Sequence, residues 1–249
     1  MKKILGKTVL AGILFLLLPL SNAYAQWYID FETGMAFCSY NDVEVPRDVG
    51  TRFSLSDDLS LNSTAFYRIK FGYRIHNKHN LFLFAAPFNL NASGSLNKVI
   101  SFNQEDFSAN IFLRAKYTFN SYRFTYRYDF LRSEKWRVGF GFTAKIRDAA
   151  IKLEGDSTAM VKTNVGFVPL FNFWIERAIN KKASFLCEGD ALAAPQGRAE
   201  DILVAVVYKL NDNIAIKGGY RVLEGGANVE EVYNFAYVNY IVIGTIIAF

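Results

Sequence analysis

The chain is short of the residues that carry most soluble chemistry. Its 249 residues include two cysteines, Cys38 and Cys187, and two histidines, His76 and His79. Two cysteines cannot staple a chain of this length, which excludes a disulfide scaffold. Charged residues make up only 20% against 51% apolar, so ordering is repaid by burial and a disordered chain is excluded. Beyond residue 25 no apolar run approaches the ~20 residues that a membrane-spanning helix needs. A strong charge of one sign is missing too. Setting aside Lys2, Lys3 and Lys7 in the leader described next takes the 28 Lys and Arg to 25, against 23 Asp and Glu. That balance leaves no footprint for nucleic acid.

What is present begins with an export signal. Lys2, Lys3 and Lys7 precede an apolar segment from Val9 to Leu20, and Ala23-Tyr24-Ala25 supplies the small residues of a cleavage site. Residues 1–25 therefore read as a cleaved signal peptide of the Sec type, with residues 26–249 as a single domain.

Past Gln26 the dominant period is two, which sends alternate side chains to opposite faces of a strand. Trp27, Ile29, Phe31, Thr33, Met35 and Phe37 alternate with Asp30 and Glu32. Phe140, Phe142, Ala144 and Ile146 alternate with Thr143, Lys145 and Arg147. Eleven such segments read directly: 27–37, 65–75, 81–90, 107–117, 122–130, 136–147, 165–176, 183–189, 199–209, 214–222 and 237–249. Many match the ~9–11 tilted residues that cross a hydrocarbon core. The polar face carries Arg and Lys, and the other face is apolar with aromatics towards its ends. This inside-out pattern is that of an all-β, closed antiparallel transmembrane barrel, because only closed barrels and helices satisfy every backbone group in lipid.

The last strand, Tyr237 to Phe249, puts Ile241, Ile243, Ile247 and Phe249 on one face, with Thr245 interrupting the apolar series. With the leader and the alternating strands, this terminus resembles Gram-negative outer-membrane β-barrel proteins. The resemblance implies a small monomeric barrel in the outer membrane. It also implies contact with outer-membrane lipid and lipopolysaccharide, and Phe249 as the signal read by the barrel-assembly machinery.

Bacterial single-chain barrels have an even number of strands, with short periplasmic turns and longer extracellular loops. Eleven segments thus contain one missed or one spurious strand. Adding a strand within 96–103, turned by Gln104-Glu105-Asp106, gives an expected twelve; ten is the alternative count. Thr118-Phe119-Asn120-Ser121 then reads as an outer hairpin, His76 to Asn80 as a periplasmic turn, and 148–164, 190–198 and 223–236 as outer segments. A strand near Thr51 to Ser56 would instead move both histidines to the outer side. Pro169, inside a strand, marks a bulge or an unpaired position.

Alternation points thirteen basic residues inward: Arg68, Lys70, Arg74, Arg114, Lys116, Arg123, Arg127, Arg137, Lys145, Arg147, Lys209, Lys217 and Arg221. The acids of the lumen or rim are Asp30, Glu32, Asp129, Glu176, Glu188, Asp190, Glu200, Asp201 and Glu224. Unpaired burial of charge is costly, so the expectation is an ion-pair network filling the interior. A surplus of positive charge lining a path for anions is the competing reading. The segment from Glu188 to Asp201 reads as a charge-paired loop plugging the outer mouth, with Arg221 within reach of Glu224; a Ca²⁺ site is its functional alternative. Gly225 and Gly226 serve turn geometry, since no helix follows to bind phosphate. His76 and His79 read as a polar turn, and Cys38 and Cys187 as free thiols, inward and outward respectively. No catalytic residue, resident metal or cofactor is implied. The function expected is a non-enzymatic outer-membrane barrel, structural or a narrow pore for small polar or anionic solutes. The alternatives are a lipid A-modifying enzyme or protease with a carboxylate site at the outer rim, and an adhesin or ligand receptor using loops 38–64 and 148–164.

Overall fold

The computed structural model describes residues 25–249. Apart from Ala25, the expected leader lies outside the described residues. Fifteen strands follow one another, with no helix among the described residues: β1 (Ala25–Glu44), β2 (Phe53–Ser54), β3 (Ser60–Leu61), β4 (Thr64–Ile75), β5 (His79–Ala86), β6 (Asn89–Ser95), β7 (Ile100–Phe102), β8 (Glu105–Phe107), β9 (Phe112–Arg132), β10 (Trp136–Glu154), β11 (Ala159–Ala178), β12 (Ala183–Ala194), β13 (Gly197–Lys209), β14 (Ile214–Val229) and β15 (Val232–Ala248).

The wall is a closed antiparallel ring. β1 pairs with β4 on one side and with β15 on the other, so the sheet has no free end. β5 pairs with β9 over residues 121–128 and β6 with β9 over 112–118, so these two short strands form one interrupted stave. The ring therefore has ten strands: β1, β4, β5 with β6, β9, β10, β11, β12, β13, β14 and β15.

Ten replaces the expected twelve. The segments at 107–117 and 122–130 belong largely to one strand, because β9 is hydrogen-bonded to β10 straight through Thr118–Ser121, with Phe119 opposite Ala149. The extra strand sought at 96–103 exists only as β7, which pairs with β8 away from the ring.

Inverted polarity within β9 explains the misreading. In its C-terminal half Tyr122, Phe124, Tyr126 and Tyr128 are exposed while Arg123, Thr125, Arg127 and Asp129 are buried. In its N-terminal half Leu113, Ala115 and Tyr117 are buried, and Arg114 and Lys116 are exposed. The side chains alternate without slipping; the surroundings change. The C-terminal half is apolar outside and polar inside, as lipid requires, and the N-terminal half is an ordinary water-facing strand with an apolar core. β10 repeats the pattern, with Phe140 and Phe142 exposed outside Thr143 and Lys145, then Ile151 and Leu153 buried higher up.

Short turns at 76–78, 133–135, 179–182 and 210–213 gather at the end that holds residue 25 and Phe249, which assigns that end to the periplasm. At the other end the strands rise beyond the apolar band, so the outer segments 148–164, 190–198 and 223–236 are mostly strand. Segments 45–63 and 96–111 fold over this end into a head. Its core includes Val43, Val45, Phe53, Leu55, Ile100, Phe102, Phe107, Leu113 and Leu153. Backbone bonds from Thr51 to Ser101 (2.8 Å) and from Asn103 to Val45 (2.8 Å) tie the two segments together. Pro169 is aligned with Ala144 of β10, while the β11–β12 ladder begins only at Phe171, so that side of the strand has no partner at the proline.

Candidate functional site

The interior of the membrane-crossing half is a packed set of charges. Seven of the thirteen basic residues are buried there: Arg68, Lys70, Arg123, Arg127, Lys145, Lys217 and Arg221. Six acids meet them, namely Asp30, Glu32, Asp129, Glu188, Asp190 and Asp201. Period two delivers each side chain from its own strand, and ring closure brings distant strands together. Asp201 on β13 accepts Arg68 from β4 (2.5 Å) and Arg221 from the adjacent β14 (2.7 Å), and Arg123 reaches it from β9. Glu32 takes Arg221 (2.8 Å) and Lys217 (2.7 Å), and Glu188 takes Lys70 (2.8 Å). Asp190 accepts Arg123 (2.6 Å), Thr143 (2.7 Å) and Asn172 (2.8 Å). Aromatic rings fill between the cations, with the Arg127 guanidinium 4.4 Å from the Trp174 ring and that of Arg123 4.8 Å from Phe84. Lys145 is the exception among the buried seven: its ammonium lies 4.8 Å from the Phe119 ring and makes no ion pair among the described residues.

Burying so many charges is tolerable only because each carboxylate is shared and hydrogen-bonded. The network leaves little space. The voids within it measure about 10 Å³ beside Arg68 and Tyr240 and about 20 Å³ beside Glu188 and Asp190.

The other expected inward cations fall elsewhere. Arg74, Arg137 and Lys209 line a vestibule of about 400 Å³ at the periplasmic end, with Glu176. Arg147 lies above the network at the rim of a smaller apolar cavity, where it donates to Asn164. Arg114 and Lys116 point away from the lumen, for the reason given by the inversion in β9.

The acidic segment also needs correcting. Glu188, Asp190 and Asp201 are not in a mouth loop; they sit within β12 and β13 and face the lumen. Glu200 and Glu224 have the opposite parity and pair across β13 and β14 on the outer face. Glu224 therefore meets Arg198 (2.6 Å) and Tyr40 rather than Arg221. Gly225 and Gly226 lie in no turn but within β14; Gly225 has φ 155°, and an added Cβ there would stand 2.4 Å from the Arg198 carbonyl oxygen, so the glycine admits a close strand. His76 and His79 flank the turn between β4 and β5, and His79 Nδ1 lies 2.8 Å from the Tyr126 hydroxyl on the outside of the barrel. Both cysteines are free.

Sequence reasoning put Thr143 on the inward face without giving it a role, and passed over the neutral partners Asn172, Asn80 and Trp174. Parity alone would have found Asn172 and Trp174, which share a face with Glu176. A metal is disfavoured where carboxylates crowd most. Ligand atoms of Asp30, Glu32 and Glu188 lie within 4.8 Å of one another, yet the Lys217 ammonium is 2.6 Å from Asp30 and 2.7 Å from Glu32, where a cation would sit.

No protein-family model matches the chain, and no curated protein matches it. Solved structures do. The outer membrane protease OmpT from Escherichia coli superimposes with a TM-score of 0.56 at 9% identity, over 90% of this chain and 97% of that one. The fold is that of a Gram-negative outer-membrane β-barrel. OprG from Pseudomonas aeruginosa matches this barrel with a TM-score of 0.39 at 13% identity, over 91% and 97% of the two chains. Ail of Yersinia pestis, in complex with the heparin analogue sucrose octasulfate, matches with 0.37 at 11%, over 90% and 99%. At such identities only the fold is shared, and the chemistry of this barrel has to be read from its own residues.

Proposed function

We propose that the chain is an integral protein of the outer membrane with a non-enzymatic role: a sealed barrel that anchors a folded extracellular head. The supporting observation is the ion-pair network, in which Asp201 alone gathers Arg68, Arg123 and Arg221 and which leaves voids of only about 10 and 20 Å³. A conducting pore needs a continuous water path, and both this network and the apolar head stand across it. A rim enzyme is disfavoured because the Glu188, Asp190 and Asp201 carboxylates are spent on buried pairs, and because the chain's two histidines flank a turn at the opposite end. Outer-membrane lipid and lipopolysaccharide would surround the exposed apolar belt. The assembly machinery would read the terminal strand, whose Phe249 is paired with Trp27 in both directions.

Planar-bilayer recording tests the reading. The purified barrel is expected to give no conductance steps. Steady steps from the unaltered protein would reject the sealed barrel in favour of an anion-selective pore. A second reading, adhesin or receptor, is favoured by the head alone, whose buried residues such as Phe53, Ile100 and Phe102 order two segments beyond the membrane band.

A further inference from the structure

The periplasmic vestibule is a different kind of place from the balanced network above it. Nine Lys or Arg and four Asp or Glu line its roughly 400 Å³, a volume within the range of small-ligand sites. At its inner end the four guanidiniums of Arg74, Arg127, Arg132 and Arg137 stand against two carboxylates, and three of them reach one. Asp129, fully buried, serves Arg127 (3.0 Å), Arg137 (2.6 Å) and Arg132 (4.0 Å), and Glu176 stands 3.8 Å from Arg137. Arg74 has no carboxylate at all. Its Nε donates to Asn80 Oδ1 (3.2 Å) and its Nη1 to Gln26 Oε1 (3.2 Å), while Nη2 makes no hydrogen bond among the described residues. The same Asn80 oxygen accepts from Arg137 Nη2 (3.2 Å). A neutral amide thus holds two like charges together at a buried position where an aspartate would have neutralised them.

A second observation is independent of charge. Trp174 lines the vestibule and is more than nine-tenths buried, and its indole Nε1 has no hydrogen-bond partner. An orphaned buried donor is costly unless something supplies an acceptor. The inner end therefore combines four guanidiniums with two carboxylates, a deficit of two negative charges, with an unpartnered Nη2 on Arg74 and, buried in the vestibule wall, an indole N–H without an acceptor. We propose that the vestibule binds a phosphate dianion from the periplasmic side, either inorganic phosphate or a phosphomonoester, with Arg74 and Arg137 as its principal ligands. Two charges and several acceptor oxygens match the deficit and the donors. The assignment of this end to the periplasm rests on the outer-membrane reading; the binding chemistry does not.

Isothermal titration of the full chain, folded in a maltoside detergent, tests this with three probes: inorganic phosphate, glycerol 3-phosphate and dihexanoyl phosphatidic acid. One-to-one saturable binding is expected. It should weaken by about tenfold or more in Arg74→Gln, the loss of one charge-assisted contact. It should weaken similarly in Asn80→Asp, which adds the missing carboxylate without removing a cation. Resistance of the folded band to SDS at room temperature verifies that each variant is a closed barrel. Binding of the soluble phosphates places the ligand's source in water; binding of the phosphatidic acid alone places it in the inner leaflet. No saturable heat with any probe, or affinity unchanged in both variants, overturns the proposal.

Discussion

Arg123 and Asp201 are joined across the lumen, although their strands stand four places apart in a ring of ten. Asp201 also holds Arg68 and Arg221, so one carboxylate ties together β4, β9, β13 and β14. Asp201→Asn leaves three guanidiniums around a neutral amide. Breaking a buried pair by removing one partner costs about 3–5 kcal/mol, and here the loss should fall at the upper end. Urea unfolding of the barrel in lipid vesicles measures it. Asp201→Glu, which keeps the charge, is expected to recover part of the loss.

Arg114 and Lys116 provide the opposite case. They alternate with apolar residues as regularly as Arg123 and Arg127 do, yet they face water on the outside of the head-bearing half. Replacing both with glutamate should change unfolding free energy by no more than about 0.5 kcal/mol, the usual range for exposed sites. Lys217→Ala should cost several times that, because it strips Asp30 and Glu32 of a shared partner. Equal damage from the two changes would mean that β9 keeps one polarity along its length.

These two strand halves show what could be read in the residues and what could not. Period two and the turn at His76 to Asn80 are local properties, and they led to a closed barrel and to the correct face for Arg68, Arg123 and Lys217. The strand count failed at Thr118–Ser121. Asn120 and Ser121 are turn formers in most contexts, and the apolar face changes sides there, as it would on leaving one strand for the next. In fact the strand leaves the membrane at this point and keeps its direction. Pairings such as Arg68 with Asp201, 133 residues apart, depend on how the ring closes, and no local pattern encodes that. Parity held a further overlooked answer: Glu224 lies on the face opposite Arg221, which directs it to Arg198.

The same boundary can be located by charge. Phe142 and Ala150 have the same outward parity on β10, with Phe142 amid the exposed aromatics and Ala150 level with Thr118. An arginine facing lipid at the midplane costs about 2–4 kcal/mol and near the interface about 0–1. Phe142→Arg should therefore destabilise the vesicle-embedded barrel by that larger amount, and Ala150→Arg hardly at all. A large penalty at both positions would extend the lipid-facing band into the upper part of the strand and overturn its placement outside the membrane.

The head gives the last prediction. Phe102 is fully buried in the β7–β8 hairpin, edge-on to Phe53 with ring centroids 6.4 Å apart. The two rings come from segments 45–63 and 96–111, so their contact holds the two halves of the cap together. Phe102→Ala removes the phenyl and leaves a cavity, a change that costs about 3–5 kcal/mol in well-packed cores. The charged network lies below this core and has its own partners, so the barrel should survive while the cap loosens. Protease added to intact cells should then cut within 45–63 or 96–111 in the variant and spare the unaltered protein, with the folded band of the barrel still resistant to SDS at room temperature. If the variant resists protease as well as the parent does, the two segments are held by their backbone bonds and not by the aromatic core.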